Sequence, residues 1–337
     1  MLDADVAVDR REFTVRARLR VAPGERLALF GPSGAGKTTL LEAIAGLVPL
    51  RRGRISLAGR VLTCADPPVA LPPWQRRVGL LRQDPGLFPH LSVRDNLCYA
   101  PSASAAELAA LASVLGIEGL LEAMPARLSG GQAHRVALGR LLLAHCDALL
   151  LDEPYTGLDA SLRRTLTELV SALVVQRSVP AVLVAHELAD AQAFADRLAV
   201  LDRGEILQEG AADEVVLRPA SRRVAELVGY LGFVPVDAPA VPAGAAPVMA
   251  GVHPERVTGG AFGDRGLVLA GVVGASRPAG AGWEADLRVG EATVACRLPD
   301  RPPPPGSRFA VTVLDPPYFG LDGRALPAAS SSALTGR

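Results

Sequence analysis

Residues 31–38 read Gly31-Pro32-Ser33-Gly34-Ala35-Gly36-Lys37-Thr38, and this stretch decides the fold. It satisfies G-x-x-x-x-G-K-[ST] at each fixed position, a loop whose backbone N–H groups and following helix N-terminus attract anionic oxygens. Lys37 is the single lysine among 35 basic residues; all the others are arginine. A compact ammonium slides between the outer phosphates of a nucleotide, where a planar guanidinium is too wide. The flanks agree. Arg26-Leu27-Ala28-Leu29-Phe30 reads as a short buried strand, and Thr38 to about Gly46 as an apolar helix. Strand, glycine loop and helix together are the setting that such a motif requires. Gly31 to Thr39 are therefore expected to bind nucleotide, with Lys37 on the outer phosphates and the Thr38 hydroxyl placed for Mg²⁺.

Outward from the loop, Phe13, Val15, Ala17, Leu19 and Val21 alternate with Thr14, Arg16, Arg18 and Arg20, a strand with one wet face. Residues 104–123 and 132–146 have helical spacing and predict a helical subdomain. Ala148–Asp152, Ala181–Ala185 and Leu198–Leu201 read as buried strands, separated by helices at about 160–177 and 187–195. Strands alternating with helices predict a largely parallel sheet covered on both faces.

Three further stretches carry chemistry. Asp152-Glu153 ends a leucine-rich strand, where two carboxylates project into the crevice beside the loop. Asp152 can hold Mg²⁺ through water, and Glu153 can polarise an attacking water as general base. Leu128-Ser129-Gly130-Gly131-Gln132 precedes a helix, with Ser129 a good N-cap and two glycines permitting close backbone approach. With Gln83, Gly157-Leu158-Asp159 and His186, in this order and spacing, the set resembles the ATP-binding subunits of ABC transporters over residues 1 to about 230. The resemblance implies ATP and Mg²⁺ as cofactors and a head-to-tail pair of subunits sandwiching two nucleotides. It implies that Gln83 helps hold Mg²⁺ and couples to a membrane partner. His186 would hold the γ-phosphate and attacking water. Ser129, Gly130, Gly131 and Gln132 would contact nucleotide bound by the second copy, and Asp159 would pair across that interface. The catalytic set it implies is Glu153, His186, Lys37 and Gln83, with Thr38, Gln83 and Asp152 on the metal.

Two departures stand out. The family carries an aromatic residue near its N-terminus that stacks on adenine. Here Asp9, Arg10 and Arg11 occupy the turn, and the alternation assigns Phe13 to the strand core, leaving an arginine to stack on the base. At His134 the family usually has Gln or Arg, a change expected to affect local packing alone.

Composition shifts after Tyr230. Residues 1–232 are assigned to the ATPase domain and 233–247, with Pro235, Pro239, Pro242 and Pro247, to a linker. Short alternating segments at 266–273, 283–289, 291–298 and 308–314 predict a small all-β, OB-like barrel over 248–322. Residues 323–337 are expected to be a disordered tail. The fold class is thus α/β, a P-loop NTPase with a helical subdomain plus a β-barrel. A barrel after one ATPase resembles the TOBE domain of importer ATPases for sugar, sulfate, polyamine, iron and molybdate. Leu71-Pro72-Pro73-Trp74-Gln75-Arg76-Arg77-Val78-Gly79 and Gln83–Val93 are most similar to the molybdate importers. Leu87, Phe88 and Pro89 are apolar in a loop, which suits a groove for a permease helix or a local core.

The bulk numbers fit. Net charge is zero and no basic stripe exists, which argues against nucleic acid. Four scattered cysteines (Cys64, Cys98, Cys146, Cys296) argue for a reduced, cytoplasmic setting without disulfides or zinc. No signal peptide and no apolar run of about 18 residues is expected, so membrane work would pass through a permease, with a substrate-binding protein outside and this chain on the cytoplasmic face. The competing readings are a soluble ATPase of translation or DNA repair, disfavoured by one cassette without a heptad run, and a nucleotide-dependent regulator with the barrel as output.

Overall fold

The computed structural model describes residues 1–99, 104–236, 248–261 and 266–326. They divide into two compact units, Met1–Ala212 and Asp213–Arg337. The elements of the first, in chain order, are β1 (Leu2–Asp9), β2 (Thr14–Val21), β3 (Arg26–Phe30), α1 (Lys37–Ala45), β4 (Arg52–Leu57), β5 (Arg60–Ala65), β6 (Pro68–Ala70), α2 (Pro73–Arg76), β7 (Val78–Leu81), α3 (Val93–Leu97), α4 (Ala105–Leu115), α5 (Gly130–Leu143), β8 (Ala148–Asp152), α6 (Ala160–Arg177), β9 (Ala181–Ala185), α7 (Leu188–Phe194), β10 (Arg197–Asp202) and β11 (Glu205–Ala211).

Eleven strands form one sheet in the order β6-β5-β4-β1-β2-β11-β10-β3-β9-β8-β7. From β10 to β7 every pairing is parallel, and β8 and β9 are buried at each residue, as strands covered on both faces must be. The expected largely parallel sheet is corrected for the other half. β6, β5, β4, β1 and β2 pair antiparallel, and so do β10 and β11. There the predicted alternation holds: Val15, Ala17, Leu19 and Val21 of β2 point inward, opposite Val8, Val6, Ala4 and Leu2 of β1. Both halves feed one core, in which Leu2, Leu19, Leu27, Leu29, Leu40 and Ile44 are fully buried.

Helix α1 ends at Gly46, whose φ of 87° permits the left-handed C-cap. Burial of Arg76, 3% exposed, fastens this helix end: its Nη1 donates to Ala43 O at 3.2 Å and Ile44 O at 2.9 Å, and Nη2 donates to Thr63 Oγ1 at 2.7 Å. A cation against carbonyls at a helix C-terminus opposes the dipole's negative end. The helix expected over 104–123 stops at Leu115, because Gly116 turns left-handed (φ 61°).

The second unit holds α8 (Ala212–Leu217), α9 (Arg222–Leu227), β12 (Gly232–Val236), β13 (Val248–Val252), β14 (Val257–Gly259), β15 (Leu267–Ala279), β16 (Gly282–Val289), β17 (Ala292–Leu298), β18 (Arg308–Val313) and β19 (Tyr318–Phe319). The four segments expected as strands are β15 to β18. They form, with β14, an antiparallel sheet in the order β14-β18-β15-β16-β17, whose outer strands β14 and β17 lie against each other. Val257, Leu269, Leu287, Val294 and Val311 fill its interior. A second sheet, β12-β13-β19, stands beside it in the same unit. The division at 212/213 precedes the boundary expected at 232. Residues 233–236 of the expected linker belong to β12, which pairs with β13, while 237–247 lie outside the described residues. Of the expected tail, Arg324 bridges Ser221 and Ala325 bridges Phe319; residues 327–337 lie outside the described residues. Among the described residues no helix is long and apolar enough to cross a membrane.

Candidate nucleotide site

The ends of β3, β7, β8 and β9 open on one edge of the sheet, and the loops leaving them build a cleft of 810 Å³. Its walls carry Ser33, Gly34, Gly36, Lys37, Thr38 and Thr39 from the first loop, Gln83 after β7, Glu153 after β8 and His186 after β9. Lys37, Gln83, Glu153 and His186, far apart in sequence, thus meet at one site, as expected. Gly31 has φ +150°, and a Cβ there would stand 1.9 Å from the Leu201 carbonyl oxygen, so no other residue fits against β10. Gly36 is left-handed (φ 107°) and starts α1, aiming the helix N-terminus at the cleft.

Lys37 is 5% exposed, and its Nζ donates to Gly31 O at 2.7 Å and Pro32 O at 2.9 Å. Burial pulls its pKa down, opposed by the negative charges of Glu153 and Asp152. Asp152 is 2% exposed. Burial pushes its carboxyl pKa up, while the hydrogen bond with Thr38 draws it down. Its Oδ1 is buried with no partner. A desolvated carboxylate oxygen left bare beside a hydroxyl is what a hard cation requires, so Thr38 and Asp152 fit Mg²⁺. Gln83 Nε2 donates to Glu153 Oε1, leaving the amide oxygen of Gln83 for the cleft. His186 Nε2 meets the same Glu153 oxygen. Glu153 adopts φ +53°, an uncommon conformation for a carboxylate residue, held by its N–H to Val184 O at 3.1 Å. That turn aims the side chain from the strand end at Gln83 and His186.

Ser129, Gly130, Gly131 and Gln132 do not line this cleft. Ser129 caps α5: its Oγ accepts from Gln132 N at 3.3 Å, and Gln132 Oε1 accepts from Ser129 N at 2.8 Å. A Cβ on Gly130 would meet nothing, so that backbone is open. Asp159 also lies outside the cleft and caps α6, accepting from Leu162 N at 3.0 Å.

On the opposite rim stand Asp9, Arg10, Arg11, Glu12 and Phe13. Arg10 N donates to Phe13 O at 2.9 Å, closing the turn, and Asp9 accepts from Thr14 Oγ1 at 2.9 Å and Arg51 Nη1 at 3.1 Å. Phe13 precedes β2 rather than lying in it. It is half-buried, packs against the small core of Val8, Val15 and Ala43 as expected, and also lines the cleft. His134 packs inside α5. It is 7% exposed with Nε2 unpartnered; burial lowers its pKa and the Glu153 charge opposes this. Phe88 lies 4.3 Å from Tyr99 between ring centroids, with the Arg140 guanidinium 5.1 Å from its own. Asn96, fully buried, staples this loop by accepting from Phe88 N and donating to the Phe88, Leu91 and Ser92 carbonyls. The sequence signal for that role is faint: Asn96 is the chain's single asparagine.

Residues 15–156 match the family model described as ABC transporter. Over 189 residues the chain is 46% identical to the molybdenum import ATP-binding protein ModC of Escherichia coli strain K12, covering 56% of this chain and 54% of that protein. The ModC of Shigella boydii serotype 4 is 45% identical over the same length and coverage. The chain spans about half the length of the curated relatives it matches. A solved ATP-binding subunit of an ABC transporter aligns with TM-score 0.56 and 27% identity, over 68% of this chain and 95% of that one. A dimeric ATP-binding cassette in a post-hydrolysis state bound to ADP and Pi shares the fold, with TM-score 0.55 and 24% identity over 63% of this chain and 99% of that one.

Proposed function

We propose that this chain, whose residues 15–156 match the family model described as ABC transporter, is the ATP-hydrolysing subunit of an importer for molybdate or a related oxyanion. The observation that carries this reading is the convergence of Lys37, Gln83, Glu153 and His186 on one cleft beneath the phosphate loop. The loop amides and Lys37 bind the outer phosphates of ATP. Thr38 and Asp152, with the Gln83 amide oxygen, would hold Mg²⁺, which would supply neutralisation of phosphate charge. Glu153 accepts the proton of an attacking water and is aimed by Gln83 and His186. His186 then steadies the γ-phosphate.

Ser129–Gln132 and Asp159 lie outside the cleft in their own chain, which supports a role towards nucleotide held by a second copy arranged head to tail. ATP closes that pair and hydrolysis reopens it, moving a permease docked at the Phe88–Tyr99 surface. A substrate-binding protein delivers the cargo on the far side of the membrane, and this chain works peripherally at the cytoplasmic face, without nucleic acid. The likeness to the molybdenum import proteins favours molybdate over sulfate, iron, polyamine or sugar. The base of ATP extends towards Phe13, with Arg10 and Arg11 beside it. The test is reconstitution of the full chain with a molybdate permease in vesicles. Molybdate-loaded binding protein should stimulate phosphate release and sulfate-loaded protein should not; equal stimulation by both would overturn the cargo assignment.

A further inference from the structure

Arg163 lies in the first turns of α6, the helix capped by Asp159, and its backbone N–H donates to Asp159 O at 3.0 Å. Its side chain crosses to α7. Nη1 donates to Glu187 Oε2 at 3.0 Å and to the Asp190 carboxylate at 3.2 and 3.3 Å. Glu187 directly follows His186. It occupies the N-cap position of α7 yet makes no capping bond, so its carboxylate serves Arg163 instead of its own helix. Asp190 has 17% of its side chain exposed; burial raises its pKa and Arg163 is what opposes this. One guanidinium therefore satisfies two carboxylates on the turn that carries His186. A cavity of 200 Å³ runs along the link, lined by Glu153, Thr156, Gly157, Arg163, His186 and Asp190. The hydrolytic pair and the α6 N-terminus thus share a wall that Arg163 spans.

We propose that Arg163 is a positioning residue that ties the Asp159 end of α6 to the His186 turn, so that a displacement at Asp159 reaches the His186–Glu153 pair. The mechanical logic is short. Packed elements joined by a fixed ion pair move as one body, and a cap given up for a cross-link leaves α7 oriented by α6. The inference rests on the ATPase reading above for its functional consequence, but the link to His186 is testable without turnover.

The test uses the full chain with isotope-labelled histidine. Of five histidines, the His186 signal is identified by its loss in His186→Gln. In Arg163→Met the His186 resonances should move and broaden while the other four stay in place. Glu187→Gln should move them less, and Arg163→Lys should restore part of the wild-type position. In steady state, Arg163→Met should lower kcat about ten-fold while leaving KM and the affinity for fluorescent ATP within about two-fold, as a misaimed catalytic group does. Unchanged His186 signals in a folded Arg163→Met protein would overturn the proposal, as would equal losses in kcat and ATP affinity. If Arg163→Met fails to fold, Glu187→Gln and Arg163→Lys decide by the same spectra. A wild type without ATPase activity would sink the functional reading, and the spectra would still decide the link.

Discussion

In the parallel half of the sheet, β3, β7, β8 and β9 deliver four loops to one edge; the antiparallel half turns back on itself and delivers a single turn, Asp9–Phe13, to the same cleft. The difference follows from strand direction. Parallel strands end together, so residues distant in sequence converge, and a phosphate site needs several converging groups. Antiparallel strands end alternately on opposite edges, and one hairpin turn serves as a rim. The parallel half is accordingly the expected seat of phosphate binding and hydrolysis, and the antiparallel rim that of contact with the base.

Breaking the phosphate side should have the largest effects. Lys37→Ala is expected to weaken ATP binding by about a hundred-fold in a fluorescent-nucleotide titration, because it removes the desolvated charge facing the outer phosphates; retention of near wild-type affinity would detach Lys37 from the site. Gly31→Ala should cost about 2–4 kcal/mol of stability by urea unfolding, through the clash with β10 and the strained φ. An unchanged unfolding midpoint would mean that the loop and β10 separate readily.

Asp152→Asn separates function from stability. The folded pKa of Asp152 lies above its unfolded value, so the wild type pays for holding the charged form once pH rises from the unfolded pKa through the folded one. The amide variant should melt a few degrees higher than wild type at neutral pH, with the gap closing in acid, and should lose Mg²⁺-dependent ATP binding. A variant that melts lower at neutral pH would show that the carboxylate is net stabilising.

The rim should give the smallest effects. Phe13→Ala, Arg10→Ala and Arg11→Ala should each weaken ATP binding by less than about ten-fold, as loss of one stacking partner does, and leave inorganic triphosphate binding unchanged. Equal loss for both ligands would move these residues onto the phosphate side of the comparison.

What was legible in the sequence follows the same divide. The phosphate loop, β3, α1, β8, β9 and α6 stand within a residue or two of their expected limits, because buried parallel strands read as unbroken apolar runs and glycine motifs punctuate them. Gln83, Glu153 and His186 were legible through their order and spacing. Strand β1 escaped although Leu2, Ala4, Val6 and Val8 alternate, and β4 to β6 are short and broken by Gly53 and Gly59. Alternation carried β2 one residue too far, to Phe13, whose ring nevertheless packs on Val8, Val15 and Ala43. Arg76 and Arg163 carried no local signal: what an arginine binds depends on partners brought by the fold, here α1 carbonyls and the α7 carboxylates. In the second unit four of the five strands of the larger sheet were readable from period-2 segments, whereas β14 is only three residues long and β12 hid in a proline-rich stretch that looked like linker.

The most direct measurement is steady-state phosphate release from ATP by the full chain and by Glu153→Gln, with association followed by light scattering. The expected result is turnover by the wild type, a fall of about 10²–10⁴-fold in the mutant with ATP binding retained, and an ATP-dependent dimer trapped by the mutation. A Glu153→Gln protein that hydrolyses ATP as fast as the wild type would contradict the central claim, that the ends of the parallel strands assemble the hydrolytic site around Glu153.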